Sequence, residues 1–157
     1  MQITIGQREV GEKRPTFIIA EAGVNHNGEM PLAKELIDAA VGAGADAIKF
    51  QTYITDNLVT GTAEKAAYQT ARDPSTSSQY EMLKNLELSE ENFSELSRYA
   101  AKKGILFLST AFDSESLAIL SRIGVPAYKI PSGEITNLPY LKEIAARQKP
   151  VLLSTGM

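Results

Sequence analysis

Five short apolar runs, Phe17 to Ala20, Ala47 to Phe50, Ile105 to Leu108, Ala127 to Ile130 and Val151 to Leu153, constrain this chain more than any other feature. They are nearly continuous rather than alternating, so each reads as a strand covered on both faces, which is the situation of a parallel sheet. Between them lie helix-like segments at Pro31 to Val41, Glu90 to Lys103, Ser114 to Arg122 and Pro139 to Arg147. Their starts carry helix-initiating chemistry: Pro31 and Pro139 suit first-turn positions, and Ser89 precedes two acidic residues. Gly44 and Gly104 stand near two of the ends. Strand and helix therefore alternate, and the right-handed crossover rule wraps the helices around a parallel sheet, either open and doubly wound or closed into a barrel.

The longest connection, Tyr53 to Ser89, contains the polar stretch TARDPSTSS and exceeds a plain crossover, although Ala63 to Tyr68 and Tyr80 to Leu86 can each form a short helix. It reads as an elaborated active-site loop. At the N-terminus, alternating Ile3 and Ile5 followed by Gly6 and Gly11 suit a small hairpin that would plug the bottom of a barrel. No linker or low-complexity segment interrupts residues 1–157, which read as one domain. Five strands do not close an eight-stranded barrel, which takes roughly 250 residues, so the chain is expected to be the N-terminal portion of a longer protein. Taken alone, the two outer strands are open edges that favour pairing between chains.

Composition narrows the function. With 43% hydrophobic and 22% charged residues, the 157-residue chain has the balance of a soluble domain with a buried core. No apolar run approaches the roughly 20 residues needed to cross a bilayer, and the N-terminus lacks the apolar region of a signal peptide, so a cytoplasmic location and no membrane partner are expected. Cysteine is absent, which removes disulfides, thiolate metal sites and thiol nucleophiles. A net charge of −3 without a basic stripe argues against nucleic acid.

The C-terminal ends of the strands carry the chemistry. They read AEAGVNHNG, KFQTY, LSTAF, YKIPSGE and LSTGM, so polar groups collect on the face where barrels of this kind place catalytic residues. Lys49 and Gln51 share one face of a strand, and a lysine inside an apolar run needs an anionic partner or ligand. Lys129 poses the same requirement on another strand. With Ser109, Thr110, Ser132, Ser154 and Thr155 as hydroxyl donors, and Gly133 and Gly156 exposing backbone N–H groups, the two lysines make a phosphate or carboxylate cradle. Glu21 and Glu134 are the acidic residues best placed to meet them, either as general acid and base or as structural partners of the lysines. His26, the only histidine, sits in the turn-like VNHNG and cannot form a metal site by itself.

At these strand ends the sequence resembles the sialic acid synthase family, the phosphoenolpyruvate-condensing enzymes that make N-acetylneuraminic, legionaminic and pseudaminic acids. The matching pieces are FIIAEAGVNHNG, ADAIKFQTY, QYEMLKNLELS, LFLSTAFD, PAYKIPSGEITNLPYL and KPVLLSTGM, in order and nearly spanning the chain. EAGVNHNG looks closer to the neuraminate and legionaminate branches than to the pseudaminate branch. The resemblance implies an α/β fold of the (β/α)8 TIM-barrel type, here the N-terminal hairpin and about five of the eight parallel strands. It implies that phosphoenolpyruvate is held by Lys49, Thr110, Lys129, Ser132 and Ser154, with Gln51 helping to build the pocket. Glu134 resembles the carboxylate that handles water, and Glu21 a second acid/base or substrate-orienting group.

The implied reaction joins C3 of phosphoenolpyruvate to the open-chain aldehyde of an N-acylated hexosamine such as N-acetylmannosamine, with phosphate leaving by C–O cleavage. The resemblance further implies a divalent metal, Mn2+ or Mg2+, held by two histidines on later strands, a C-terminal antifreeze-like domain and a homodimer; neither those strands nor that domain is in this chain, and TARDPSTSS departs from the pattern near the sugar. The expectation is a carbohydrate-biosynthesis enzyme whose isolated N-terminal part is inactive. Two other readings stand beside it: a Schiff-base aldolase using Lys49 or Lys129 on a keto acid, and a non-catalytic sugar-phosphate-binding or assembly module.

Overall fold

In a computed structural model the protein is described over residues 2–72 and 78–156. Residues 73–77 of the TARDPSTSS stretch lie outside the described residues, as do any sugar contacts expected of them. Five strands, β3 (Ile19–Gly23), β4 (Ala47–Thr52), β5 (Leu106–Ala111), β6 (Tyr128–Ile130) and β7 (Val151–Leu153), form one parallel sheet in chain order. A doubly wound sheet reverses direction at a switch point, whereas a barrel adds each strand beside the last. The unbroken order is therefore that of a barrel wall.

Strand parity divides the sheet between two cores. On β4, Ile48 and Phe50 join Phe107 of β5 and Tyr128 and Ile130 of β6 in the main core. These residues pack under four helices: α1 (Met30–Gly42), α5 (Glu90–Lys103), α6 (Ser114–Ile123) and α7 (Leu138–Ala145). α1 packs on α5, α5 on α6, and α6 on α7, a partial outer ring. Ala47, Leu108 and Ala127 point the other way and bury Ile5, with Ile19, Leu106 and Leu152 alongside. This second cluster is the inside of the wall at its N-terminal end.

Ile5 belongs to the hairpin expected at the N-terminus. β1 (Gln2–Ile5) and β2 (Arg8–Gly11) pair antiparallel around Gly6, which has φ 62 and lies against the Leu106 side chain. The hairpin thus closes the lower end of the wall, and an Arg8–Asp46 ion pair at 2.8 Å ties it to the start of β4.

Helix boundaries follow local chemistry. Ser89 and Asn92 form a reciprocal capping box that starts α5, and Gly104 ends it in the left-handed conformation at φ 78. The first long strand begins at Ile19 rather than Phe17, because the Ile18 N–H donates to the Asp46 carboxylate at 2.8 Å before ladder pairing starts at Ile19 and Ala47. The long connection holds α2 (Thr55–Leu58), α3 (Ala67–Arg72) and α4 (Gln79–Leu86). α3 begins later than the expected Ala63, since Ala63 closes a turn onto Thr60 and the Gln69 side chain caps the Ala66 N–H. None of the helices among the described residues is long and apolar enough to cross a membrane.

Because Ile5 is fully buried among Ala47, Leu108 and Ala127, Ile5→Ala should lower unfolding free energy by about 2–4 kcal/mol, the usual cost of emptying a packed core position. Urea unfolding followed by circular dichroism measures it, and a midpoint unchanged from wild type would show that the hairpin does not seal the wall.

Candidate active site

The inner face changes character along the strand direction. Apolar Ala47 and Leu106 at the lower end give way to Lys49 and then Gln51 on β4, and to Leu108 and then Thr110 on β5. Lys129 of β6 is in register with Thr110, and Leu152 of β7 with Lys129. Lys49, Gln51, Thr110 and Lys129 therefore share the inner face at the C-terminal ends of three adjacent strands.

Lys49 meets the anionic partner its burial requires. Its side chain is 12% exposed and forms a short ion pair with Glu21, which is 52% exposed and sits in register on β3. Taking away Glu21 would leave the Lys49 ammonium a largely desolvated charge without its partner, so Lys49 depends on Glu21. After Glu21 the strand register shifts at Gly23. There φ is 54, and a side chain at that position would meet the Glu21 carboxylate at 3.3 Å and the Gln51 amide at 3.8 Å. Glycine lets the backbone lie against both groups.

Lys129 is half-buried, and its ammonium donates to the Ile130 carbonyl at 2.7 Å. Burial lowers its pKa below the usual lysine value, and the positive charge of Lys49 lowers it further, with Glu21 acting in the opposite sense. The two lysines and Glu21 thus share one electrostatic neighbourhood with one more positive charge than negative, which favours an arriving anion.

The loops above complete the arrangement unevenly. Ser132 and Gly133 are exposed in a 3-10 turn, Ser132–Glu134, that follows β6. Gly156, at φ 78, lies so close to Ser132 that a β-carbon there would sit 3.2 Å from the serine Cβ. Ser154 is half-buried and donates its backbone N–H to the Ile130 carbonyl at 3.1 Å, while Thr155 is exposed. Ser132 and the Ser154–Gly156 segment are therefore neighbours at the mouth.

Two expectations need correction. Ser109 does not join the cradle: one residue from Thr110, it faces the helix layer, fully buried, with its hydroxyl 2.7 Å from that of Thr52. Glu134 forms no ion pair with either lysine; its carboxylate accepts from the Asn137 side-chain amide at 2.6 Å. Of the two acidic residues, only Glu21 reaches a lysine. Asn137 was missed although Asn-Leu-Pro before an apolar helix is a recognisable cap signal.

His26 is fully buried beside the Phe50 ring, and its Nδ1 accepts the Gly28 N–H at 3.0 Å. It is a hydrogen-bonded loop histidine on the helix side of the wall. No group of three or more histidine, cysteine or acidic side chains placed to hold a metal ion occurs among the described residues.

The rim beside the site is pinned at several points. Tyr53, buried at the end of β4, donates its hydroxyl to the Leu83 carbonyl at 3.1 Å, and burial raises its pKa. Glu87 accepts the Thr55 N–H at 2.8 Å, and Asp113 accepts the Ile54 N–H at 3.1 Å while capping α6. At Gly28, φ 80, a β-carbon would collide with the Asn85 carbonyl oxygen, so the loop after β3 and α4 are in close backbone approach.

Comparison with known proteins gives a consistent picture. The family model described as "NeuB family" matches residues 36–157. The chain is 55% identical over 152 residues to the N,N'-diacetyllegionaminic acid synthase of Legionella pneumophila, covering 97% of this chain and 43% of that one. It is 36% identical over 150 residues to the human N-acetylneuraminate-9-phosphate synthase, covering 96% of this chain and 42% of the relative. A crystal structure of the N-acetylneuraminic acid synthetase of Leptospira borgpetersenii superposes with a TM-score of 0.81 at 36% identity, over 100% of this chain and 50% of that one. The chain spans less than half the length of these curated relatives.

His26 yields a pH test. Burial lowers its pKa below 6.5, so the unfolded chain binds the proton more readily and stability present above that value is lost as pH falls from 6.5 toward the folded pKa. Urea unfolding should show lower stability at about pH 5.5 than at about pH 7.5, a step that His26→Gln flattens. A wild-type protein equally stable at both would contradict a buried neutral imidazole.

Proposed function

The chain belongs to the NeuB family, and from that premise we propose that the complete protein condenses phosphoenolpyruvate with an N-acylated hexosamine of the N-acetylmannosamine type, releasing a sialic acid and phosphate. The observation that carries this reading is the convergence of Lys49 and Lys129 on the inner face at the strand C-termini, with Thr110 on the strand between them in register with Gln51 and Lys129. In this proposal the two ammonium groups hold the phosphoenolpyruvate anion, and Thr110, Ser132 and Ser154 donate hydroxyl hydrogen bonds to it. Gln51 lines the same pocket. C3 of phosphoenolpyruvate bonds to the aldehyde carbon of the open-chain sugar, whose oxygen takes a proton to become a hydroxyl; water adds at C2 with loss of a proton, and the C2–O bond breaks so that phosphate leaves with the bridging oxygen. Glu134 handles the proton of that water, and Glu21, while balancing Lys49, orients the substrate or serves as a second acid/base.

A divalent cation, Mn2+ or Mg2+, belongs to this reading, but the described residues do not make a site for it. Its ligands, the remaining barrel strands, an antifreeze-like domain and a dimer partner belong to the same proposal for the complete protein, as does a place in cytoplasmic polysaccharide biosynthesis. The 157-residue chain by itself is accordingly expected to be inactive.

One observation favours a second reading. The lowered pKa of Lys129 makes its amine a better nucleophile near neutral pH, as a Schiff-base aldolase requires. Borohydride trapping with a keto acid separates the two, since only the aldolase forms a reducible imine.

The assay is phosphate release from phosphoenolpyruvate with N-acetylmannosamine and Mn2+. Turnover is expected from the full-length protein and none from residues 1–157; robust turnover by the short chain would overturn the division of labour proposed. In the full-length protein, Lys129→Ala should weaken phosphoenolpyruvate binding by about 10- to 100-fold, the worth of one charge-assisted contact. Unchanged affinity in calorimetry would count against the cradle.

A further inference from the structure

We infer that Asn137 is the positioning residue for Glu134, fixing the carboxylate through a hydrogen-bond relay anchored at the end of β5. The inference rests on the proposed role of Glu134 in handling water.

The relay begins with a constraint on the helix start. Asn137 is the N-cap of α7, with φ −79 and ψ 75, and Pro139 occupies the second helical position. Proline has no N–H, so the amide left for the cap side chain is that of Tyr140. The Asn137 Oδ1 accepts from it at 3.3 Å. With its oxygen committed, the side chain can only present its NH2 group on the other side, where Nδ2 donates to the Glu134 Oε2 at 2.6 Å. Both contacts demand the same amide orientation. The backbone reinforces it, because the Asn137 N–H donates to the Glu134 carbonyl at 3.0 Å and closes the turn.

Tyr140 supplies the anchor. The residue is 6% exposed, and its hydroxyl donates to the Ala111 carbonyl at 2.8 Å. Ala111 directly follows Thr110, one of the residues of the cradle. A continuous path thus runs from the end of β5 through the Tyr140 hydroxyl, ring and backbone amide to Asn137 and the Glu134 carboxylate. No other side chain among the described residues hydrogen-bonds to that carboxylate. A group in an exposed 3-10 turn would otherwise sample several rotamers, and a proton-handling group held in one orientation avoids that loss at every turnover.

The discriminating variant is Asn137→Asp in the full-length protein. Aspartate keeps the cap acceptor for Tyr140 and replaces the donor to Glu134 by a second carboxylate, so the helix start survives while the hold on Glu134 is lost. Asn137→Ser tests the same separation with a neutral cap too short to reach. We expect thermal midpoints within a few degrees of wild type, kcat reduced at least tenfold, and the phosphoenolpyruvate KM within about threefold. A kcat within twofold of wild type, or a loss carried by KM or matched by a lowered midpoint, overturns the inference. Absence of wild-type turnover defeats the functional reading instead. The positional claim is then read from the Asn137 side-chain amide resonance, whose hydrogen-bonded proton should move upfield in Glu134→Ala; an unmoved resonance overturns it.

Discussion

Each central strand of this sheet is buried on both faces, and everything else in the molecule is arranged around that double obligation. β4 shows it most plainly. Ile48 and Phe50 serve the layer beneath the helices, while Ala47, Lys49 and Gln51 serve the inside of the wall. The inner set cannot be uniformly apolar and still form a site, nor uniformly polar and still fold. The sequence resolves this by grading the inner residues from alanine and leucine at the lower end to lysine, glutamine and threonine at the upper end. Burial of Lys49 is tolerable only because the register of β3 brings Glu21 beside it.

The lower end has its own solution. Without the hairpin, Ala47, Leu108 and Ala127 would face water through the bottom of the wall; Ile5 covers them, and Gly6 lets the turn press against Leu106. The outer helices are fastened differently, by ridges of apolar contact and by surface pairs such as the two-pronged Arg122–Glu90 bridge at 2.7 and 2.6 Å between α6 and α5. Exposed pairs of that kind are screened by solvent and contribute little to stability, so apolar packing holds the ring and the charges align it.

Much of this was legible in the amino-acid sequence for identifiable reasons. A strand buried on both faces leaves a continuous apolar run, and a polar group just beyond it marks the upper end; hence the five strands and the cluster of Lys49, Gln51, Thr110 and Lys129 could be read directly. α5 was legible to the residue because its capping box and terminal glycine are local signals. Parity was the weak point. Ser109 and Thr110 are adjacent and chemically alike, and only the ladder decides that Thr110 faces inward while Ser109 pairs with Thr52 in the other layer. The neighbour of Glu134 was hidden for a related reason: residue type alone does not say which partner a turn carboxylate meets, and here it is the Asn137 amide rather than a lysine. The start of α3 depended on a side-chain cap from Gln69 that no periodicity encodes.

The pinned rim bears on how such a protein can vary. α2 is tied to the sheet through Ile54 and Asp113 and to α4 through Thr55 and Glu87, while Tyr80 and Lys84 of α4 return to Asp56. The approach of Asn85 to Gly28 fixes the far end against the loop after β3. Both ends of the long connection are thus fastened to the scaffold, and a single backbone bond, Gln79 N–H to the Ala63 carbonyl at 3.0 Å, ties the start of α4 to the interval between them. Insertions, deletions and drift can accumulate between α2 and α4 without displacing the strand ends, which makes that interval the place where descendants of one scaffold are free to diverge in what they recognise.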